Sequence, residues 1–126
     1  MASSSAGYHE SLDVLKPETL DRHRAINSLM EELEAIDWYD QRVDATSDTD
    51  LAAILTHNRD EEKEHAAMVL EWLRRHDPHL DQQLRTYLFA AKPVLEIETA
   101  LEQKNGAVAA ADGSLGIGSL REESGR

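Results

Sequence analysis

Two long stretches of the chain place apolar side chains at steps of three and four, the spacing that collects them on one face of an α-helix. The first stretch follows Pro17, a residue favoured at the first helical position, and continues to about Ala45. Its one-face series consists of Ala25, Leu29, Glu32, Ile36, Tyr39 and Val43. The second stretch continues to about Asp77, where Pro78 is expected to stop it. Its series consists of Leu51, Leu55, Asn58, Glu62, His65, Val69 and Trp72.

The segment between the two predicted helices is short and rich in capping residues. It reads TSDTD, and Ser47 followed by Asp50 resembles a capping box in which Asp replaces the usual Glu or Gln. Two long helices joined by so short a turn form an antiparallel hairpin. Shorter helices are predicted around residues 81–89 and from Pro93 through Leu101. The expected organisation is an all-α protein with a flexible arm over 1–15, a helical hairpin domain over 16–103, and a linker with a flexible tail over 104–126.

Polar residues interrupt both apolar series near the middle. Glu32 lies 15 residues before Ser47, and Glu62 lies 15 residues after it. At about 1.5 Å per residue, both carboxylates are therefore expected roughly 22 Å from the turn, at one level. His65 follows Glu62 by nearly one helical turn on the same face. The sequence thus predicts three potential metal ligands at one height on the buried side of the hairpin.

This ligand set is half of one that is known from helical bundles. A buried carboxylate without a partner is costly, and a metal ion resolves that cost. Carboxylate and imidazole ligands together suit iron, manganese or zinc, with Fe(II) the best fit to redox use. Di-iron carboxylate bundles take a Glu from each of two helices and a Glu-x-x-His from each of the other two. Because a two-helix hairpin also cannot bury its own apolar face, we expect it to form a homodimer, a four-helix bundle that completes the site.

Composition excludes several other classes of function. The chain has 25 Asp and Glu residues against 13 Lys and Arg, and this net charge of −12 argues against binding nucleic acid. The absence of cysteine excludes disulfides, thiolate metal sites and thiol catalysis. No apolar stretch approaches the length of a membrane span, so no membrane partner is expected. The first ten residues show no signal-peptide pattern, which leads us to expect a cytoplasmic protein.

Three further features remain open from the pattern alone. Glu31, Glu34 and Trp38 share a second face of the first helix, which fits either a cation entry path towards Glu32 or an ordinary solvated surface. Tyr39 is either a redox-active neighbour of the site or a core aromatic. In the Gly-rich C-terminal segment, the three large aliphatic residues fit either a docking peptide or plain disorder. These three residues are Leu115, Ile117 and Leu120.

Separate segments of the chain resemble components of one known system. Residues 30–44, MEELEAIDWYDQRVD, and residues 57–68, HNRDEEKEHAAM, resemble the encapsulated ferritins. Residues 114–120, SLGIGSL, resemble the peptide that loads cargo into encapsulin shells. The resemblance implies ferroxidase activity, the oxidation of Fe(II) with oxygen, at a di-iron site between two chains. It also implies a ring-shaped decamer built from dimers, and storage of the iron by the surrounding shell.

The same resemblance assigns roles to individual residues. By position, Glu32, Glu62 and His65 are similar to the family's iron ligands. Glu31, Glu34 and Trp38 resemble its entry region, and Tyr39 lies near the site. The expected location is the bacterial or archaeal cytoplasm, within an encapsulin nanocompartment. The alternative is a cargo protein that binds metal without catalysis or that acts only as a helical structural element.

Overall fold

The computed structural model describes residues 7–112, and over this range the protein is entirely helical. After a short 3₁₀ turn at Leu12–Val14, the helices are α1 (Pro17–Ala45), α2 (Thr49–Arg75), α3 (Pro78–Tyr87) and α4 (Val94–Asp112). The all-α prediction is confirmed for the described residues. They fall into two compact units, one ending at His76 and the other beginning at Asp77. No helix within residues 7–112 combines the length and the apolar character needed to cross a membrane.

Helix α1 has both of its predicted ends. Pro17 occupies the first turn, where its missing N–H costs nothing, and Glu18 follows it close to the positive end of the helix dipole. At the other end, the Thr46 N–H donates to the Arg42 carbonyl at 3.1 Å. The helix pairs with α2 as an antiparallel hairpin, and this pairing forms the first compact unit.

The cap at the start of α2 differs from the prediction. Asp48 is the N-cap, and its carboxylate accepts a hydrogen bond from the Leu51 N–H at 2.9 Å. The Asp48 N–H in turn donates to the Thr46 hydroxyl at 3.1 Å. The predicted Ser47–Asp50 box was therefore wrong, because Asp48 is the residue with the extended backbone that a cap requires. Its negative charge is also favourable at a helix N-terminus.

The junction after α2 also corrects the predicted helix bounds. Helix α2 ends at Arg75, two residues earlier than expected, and the His76 N–H donates to the carbonyls of Trp72 and Leu73. Asp77 caps the next helix by accepting from the Leu80 N–H at 3.0 Å. Pro78 therefore begins α3, in addition to ending α2. Helix α3 accordingly spans Pro78–Tyr87 where residues 81–89 were predicted.

Helix α4 is much longer than the sequence led us to expect. The predicted helix ended near Leu101, followed by a tether, whereas the observed helix continues to Asp112. Residues 107–111 are four alanines and one valine, and a single Gly106 in the interior costs only about 1 kcal/mol relative to Ala. The space around Gly106 is open, so no close packing explains the glycine. Residues 113–126, with the predicted docking residues Leu115, Ile117 and Leu120, lie outside the described part of the chain.

The hairpin buries very little of its own surface. Among the described residues, Ala66 and Leu73 are the only buried apolar ones, at 8% and 4% exposure. The predicted α1 series is half-buried throughout, as expected for a face that packs against one neighbouring helix. Two exposed apolar stripes remain. The α2 stripe consists of Leu51, Ile54 and Met68, and the α1 stripe consists of Ile26, Met30 and Leu33.

Candidate metal centre

The three predicted ligands come together in the middle of the hairpin. Glu32 is on α1, and Glu62 and His65 are on α2. One ligand atom of each lies within 4.8 Å of the other two. Within residues 7–112, no other group of three His, Cys, Asp or Glu side chains converges in this way. Their meeting follows from the equal distance of both glutamates from the turn, and their role as ligands stays a prediction.

His65 links the two glutamates. Its Nδ1 lies 2.9 Å from Oε1 of Glu62, a hydrogen bond in which the protonated nitrogen donates to the carboxylate. The same Nδ1 lies 3.4 Å from Oε2 of Glu32, a distance that fits an ion pair better than a well-formed hydrogen bond. Oε2 of Glu32 is shielded from solvent and accepts no hydrogen bond from the described residues. One ligand oxygen in the cluster therefore lacks a satisfying partner.

Two of the three side chains, Glu32 and His65, have a raised pKa. Burial raises the pKa of Glu32, and the adjacent Glu62 carboxyl adds to the shift through a shared hydrogen bond and like charge, against an opposing effect of His65. The hydrogen bond to Glu62 raises the pKa of His65, outweighing a small opposing effect of burial, with Glu32 contributing further.

The donor set fits a divalent transition metal. Two carboxylates and one imidazole are ligands that iron, manganese and zinc accept, and a cation would satisfy the Glu32 oxygen that accepts no hydrogen bond. The side chains of Glu32 and Glu62 are 25% and 24% exposed, whereas that of His65 is 46% exposed. The cluster is therefore enclosed by the hairpin on one side and open on the side of His65. Three ligands leave coordination positions for additional groups.

The predicted entry residues do not join the cluster. Glu31 and Glu34 are exposed on α1, and Trp38 is 48% exposed. The Arg42 guanidinium lies over the rings of both Trp38 and Tyr39, at 6.0 and 5.5 Å from their centroids. Tyr39 is half-buried in the α1 series. This arrangement supplies no third ligand beside Glu31 and Glu34, so the entry role of this face stays a prediction.

One polar contact beside the cluster was missed from the sequence. Arg59, on α2, donates to the Asp40 carboxylate of α1 at 2.9 Å. Arg59 lies three residues before Glu62, on the same face of α2. This spacing is the feature of the sequence that could have revealed the contact. Arg59 belongs to neither apolar series, so the pattern did not single it out. Its side chain is in fact only 23% exposed.

Comparisons with known proteins agree with the architecture of the hairpin. Residues 7–91 match the EncFtn-like family. The chain is 61% identical, over 131 aligned positions, to the encapsulated ferritin-like protein of Rhodospirillum rubrum, with 98% of this chain and 94% of the relative covered. A ferritin-like protein of Thermotoga maritima is 53% identical, covering 90% of this chain and 96% of the relative.

A more distant relative and a solved structure extend the comparison. An encapsulin nanocompartment cargo protein of Myxococcus xanthus is 37% identical, covering 71% of this chain and 76% of that protein. The crystal structure of a protein from Nitrosomonas europaea is 62% identical with a TM-score of 0.68, covering 70% of this chain and 97% of the solved one. These matches confirm the resemblance found in residues 30–44 and 57–68. The chain therefore belongs to the EncFtn-like family of encapsulin-associated, ferritin-like proteins.

Proposed function

We propose that the protein is a ferroxidase that oxidises Fe(II) to Fe(III) with dioxygen at a di-iron site shared between two copies of the chain. The observation that carries this proposal is the cluster of Glu32, Glu62 and His65 within 4.8 Å, with one solvent-shielded carboxylate oxygen left unsatisfied. The cluster contains half of the ligands of a di-iron carboxylate bundle. A second hairpin related by a two-fold axis supplies the other half.

The exposed surface around the cluster supports pairing at this face. His65 is the most exposed of the three ligands, and the α2 stripe, Leu51, Ile54 and Met68, lies along the same side of the helix. A two-fold axis near His65 lays this side of α2 against the partner copy, so that each copy covers the stripe of the other. The α1 stripe is then left for contacts between pairs. Two distinct apolar surfaces are what a ring of dimers requires, in line with the decamer that the family resemblance implies.

Iron is the substrate in this scheme, and the protein supplies position and charge. Two Fe(II) ions bound close together provide two electrons to one dioxygen and leave as Fe(III). Glu32 loses any proton that it carries when iron binds, and the negative charges of Glu32 and Glu62 then favour the more highly charged Fe(III). His65 binds as a neutral imidazole after its proton is displaced. Glu31 and Glu34 are proposed to attract Fe(II) to the neighbouring face, and Tyr39 is proposed to lie near the site.

We further propose that the protein works as cargo inside an encapsulin shell, in the cytoplasm of its bacterial or archaeal host. One relative is named as an encapsulin nanocompartment cargo protein, and another as an encapsulated ferritin-like protein. Leu115, Ile117 and Leu120 are proposed to enter pockets on the inner wall of the shell. Burial of one such side chain is worth roughly 1.5–3 kcal/mol, so three together can hold the peptide on the shell. The shell would then store the iron that the hairpins oxidise.

An Fe(II) oxidation assay tests the proposal. Protein prepared without metal is mixed with Fe(II) in air, and Fe(III) is followed by its absorbance. We expect Glu32→Ala and Glu62→Ala each to reduce the rate nearly to that of the buffer, because two-fold symmetry removes two ligands per site. Glu34→Ala should change the rate without abolishing oxidation.

The assay has a control variant and a result that would contradict the proposal. Glu64→Ala removes an exposed carboxylate from the same turn of α2 and should oxidise iron at the wild-type rate. Wild-type protein that binds Fe(II) but oxidises it no faster than buffer does would contradict the ferroxidase assignment. That result would favour a cargo protein that binds metal without catalysis.

A further inference from the structure

One ion pair joins the two helices of the hairpin between the turn and the metal centre. Arg59 Nη1 lies 2.9 Å from Asp40 Oδ1. Most ion pairs of the hairpin stay within one helix, as Arg24 and Asp21 do on α1 at 2.7 Å. The Arg59 side chain is 23% exposed, compared with 67% for Arg24. The Arg59 side of the cross-helix pair is thus sheltered from solvent, whereas the Asp40 side chain is 52% exposed.

The geometry places this pair close to the ligands. Arg59 precedes Glu62 by three residues, about 4.5 Å along the axis of α2. Side chains of a helix tilt towards its N-terminus, which for α2 is the turn, and Asp40 lies on that side of Arg59. Its guanidinium therefore reaches from the level just below the metal centre to a carboxylate nearer the turn. Movement of α2 along α1 would stretch or break this contact.

Buried apolar side chains do not fix the register near this level, and the other cross-helix ion pair, His65 with Glu32 at 3.4 Å, lies within the cluster itself. Leu73 and Ala66 are the only buried apolar side chains in the described chain, and both lie on the far side of Glu62 from the turn. Apolar contacts of half-exposed side chains allow sliding, because their energy depends weakly on position. A metal site tolerates ligand displacements of only about 0.2 Å. The alignment of Glu32 with Glu62 therefore needs a directional contact near their level.

We propose that Arg59 is a positioning residue for the metal centre, whose ion pair with Asp40 fixes the register of α2 against α1 so that Glu62 and His65 meet Glu32. The inference rests on the proposed metal centre. It predicts that the pair acts on metal coordination itself, in addition to any effect on folding. Arg is suited to this role because its rigid, planar group forms directional hydrogen bonds.

Binding of Co(II) to the full chain under anaerobic conditions tests the inference, since its visible absorption bands report the geometry of the ligands. Arg59→Met should weaken Co(II) affinity about tenfold or more and change the bands, the size of effect seen when residues supporting metal ligands are removed. Asp40→Asn should do the same with less disturbance of the fold. Arg59→Lys, which keeps the charge, should recover most of the wild-type affinity. Arg24→Met is the matched control, because it breaks an ion pair of similar length within one helix.

The outcomes separate positioning from stability. Circular dichroism at the titration temperature first establishes that each variant is helical. Should Arg59→Met fail to fold, Asp40→Asn decides the question. The inference would be overturned if Arg59→Met and Asp40→Asn showed the same Co(II) bands and affinity as Arg24→Met. This would hold even if their unfolding temperatures were lower. A wild-type chain without Co(II) bands would overturn the metal centre itself, and the positioning role with it.

Discussion

Replacement of Ile54 by serine tests whether the α2 stripe is the surface that pairs two hairpins. Ile54 is 58% exposed, so a little over half of its surface is left for a partner to cover. Complete burial of an isoleucine is worth roughly 1.5–3 kcal/mol, which leaves about 1–1.7 kcal/mol per copy. Because two-fold symmetry counts the residue twice, the pair should lose about 2–3 kcal/mol, which weakens its Kd roughly 30- to 150-fold.

The substitution is chosen to leave the single hairpin intact. Isoleucine and serine have similar helix propensities, and Ile54 contributes little to the interior of the hairpin in its exposed position. Sedimentation velocity over a range of protein concentrations, with and without anaerobic Fe(II), measures the Kd of the pair. Metal should strengthen pairing of the wild-type chain, because it offsets the repulsion among the four carboxylates that pairing brings together.

Ile26→Ser is the matched control on the other stripe, where the side chain is 48% exposed. It should keep the metal-dependent pair and its iron oxidation but should stop assembly beyond the dimer. If the Ile54→Ser variant paired with the same Kd as the wild-type chain, the assignment of the α2 stripe to the metal-sharing interface would be refuted. If Ile26→Ser lost the pair and Ile54→Ser kept it, the α1 stripe would be the pairing surface and the α2 stripe would serve assembly beyond the dimer.

Three further predictions concern stability, pH and packaging. Leu73→Ala should destabilise the chain by about 2–3 kcal/mol in urea unfolding at fixed protein concentration, since Leu73 is the one large apolar side chain of residues 7–112 that is buried. The metal-free chain should lose stability as pH rises from about 4.5 through 6.5 and beyond. Folding raises the pKa values of both Glu32 and His65, so the folded form is favoured while these groups keep their protons. Metal affinity should rise over the same range, and Glu32→Gln should flatten the pH dependence of stability; a metal-free wild type that gains stability towards pH 8 would contradict this reasoning. Deletion of residues 114–126 should leave the Fe(II) oxidation rate unchanged but remove the protein from co-expressed shells, and full occupancy of the shells by the truncated chain would show that another surface is recognised.

The hairpin and the meeting of its polar residues were predictable because both depend on counting. Apolar spacing gives the faces of α1 and α2, and equal distances from the turn bring Glu32 and Glu62 to one level. Because both helices are counted from the same short turn, the predicted level of a residue is wrong by no more than a residue or two. The family resemblance added the iron chemistry, which spacing alone leaves open among several metals.

Other details depend on local conformation that the pattern does not encode. Thr46, Ser47 and Asp48 are all competent capping residues, and the backbone angles of the folded turn select Asp48. The contact of Arg59 with Asp40 depends on the direction in which a long side chain extends. The length of α4 was underestimated because Gly106 was given more weight than the helix-forming alanines that follow it.

The unbroken helix α4 has a consequence for how cargo would sit inside a shell. Nineteen residues of helix form a rod about 28 Å long, since each residue advances about 1.5 Å. A flexible Gly/Ser-rich linker of that length would reach about 24 Å on average, and it would also collapse to much shorter separations. A rod excludes those short separations. In the proposed assembly it would therefore hold the point where the docking segment begins, after Asp112, about 28 Å from the start of the helix at Val94.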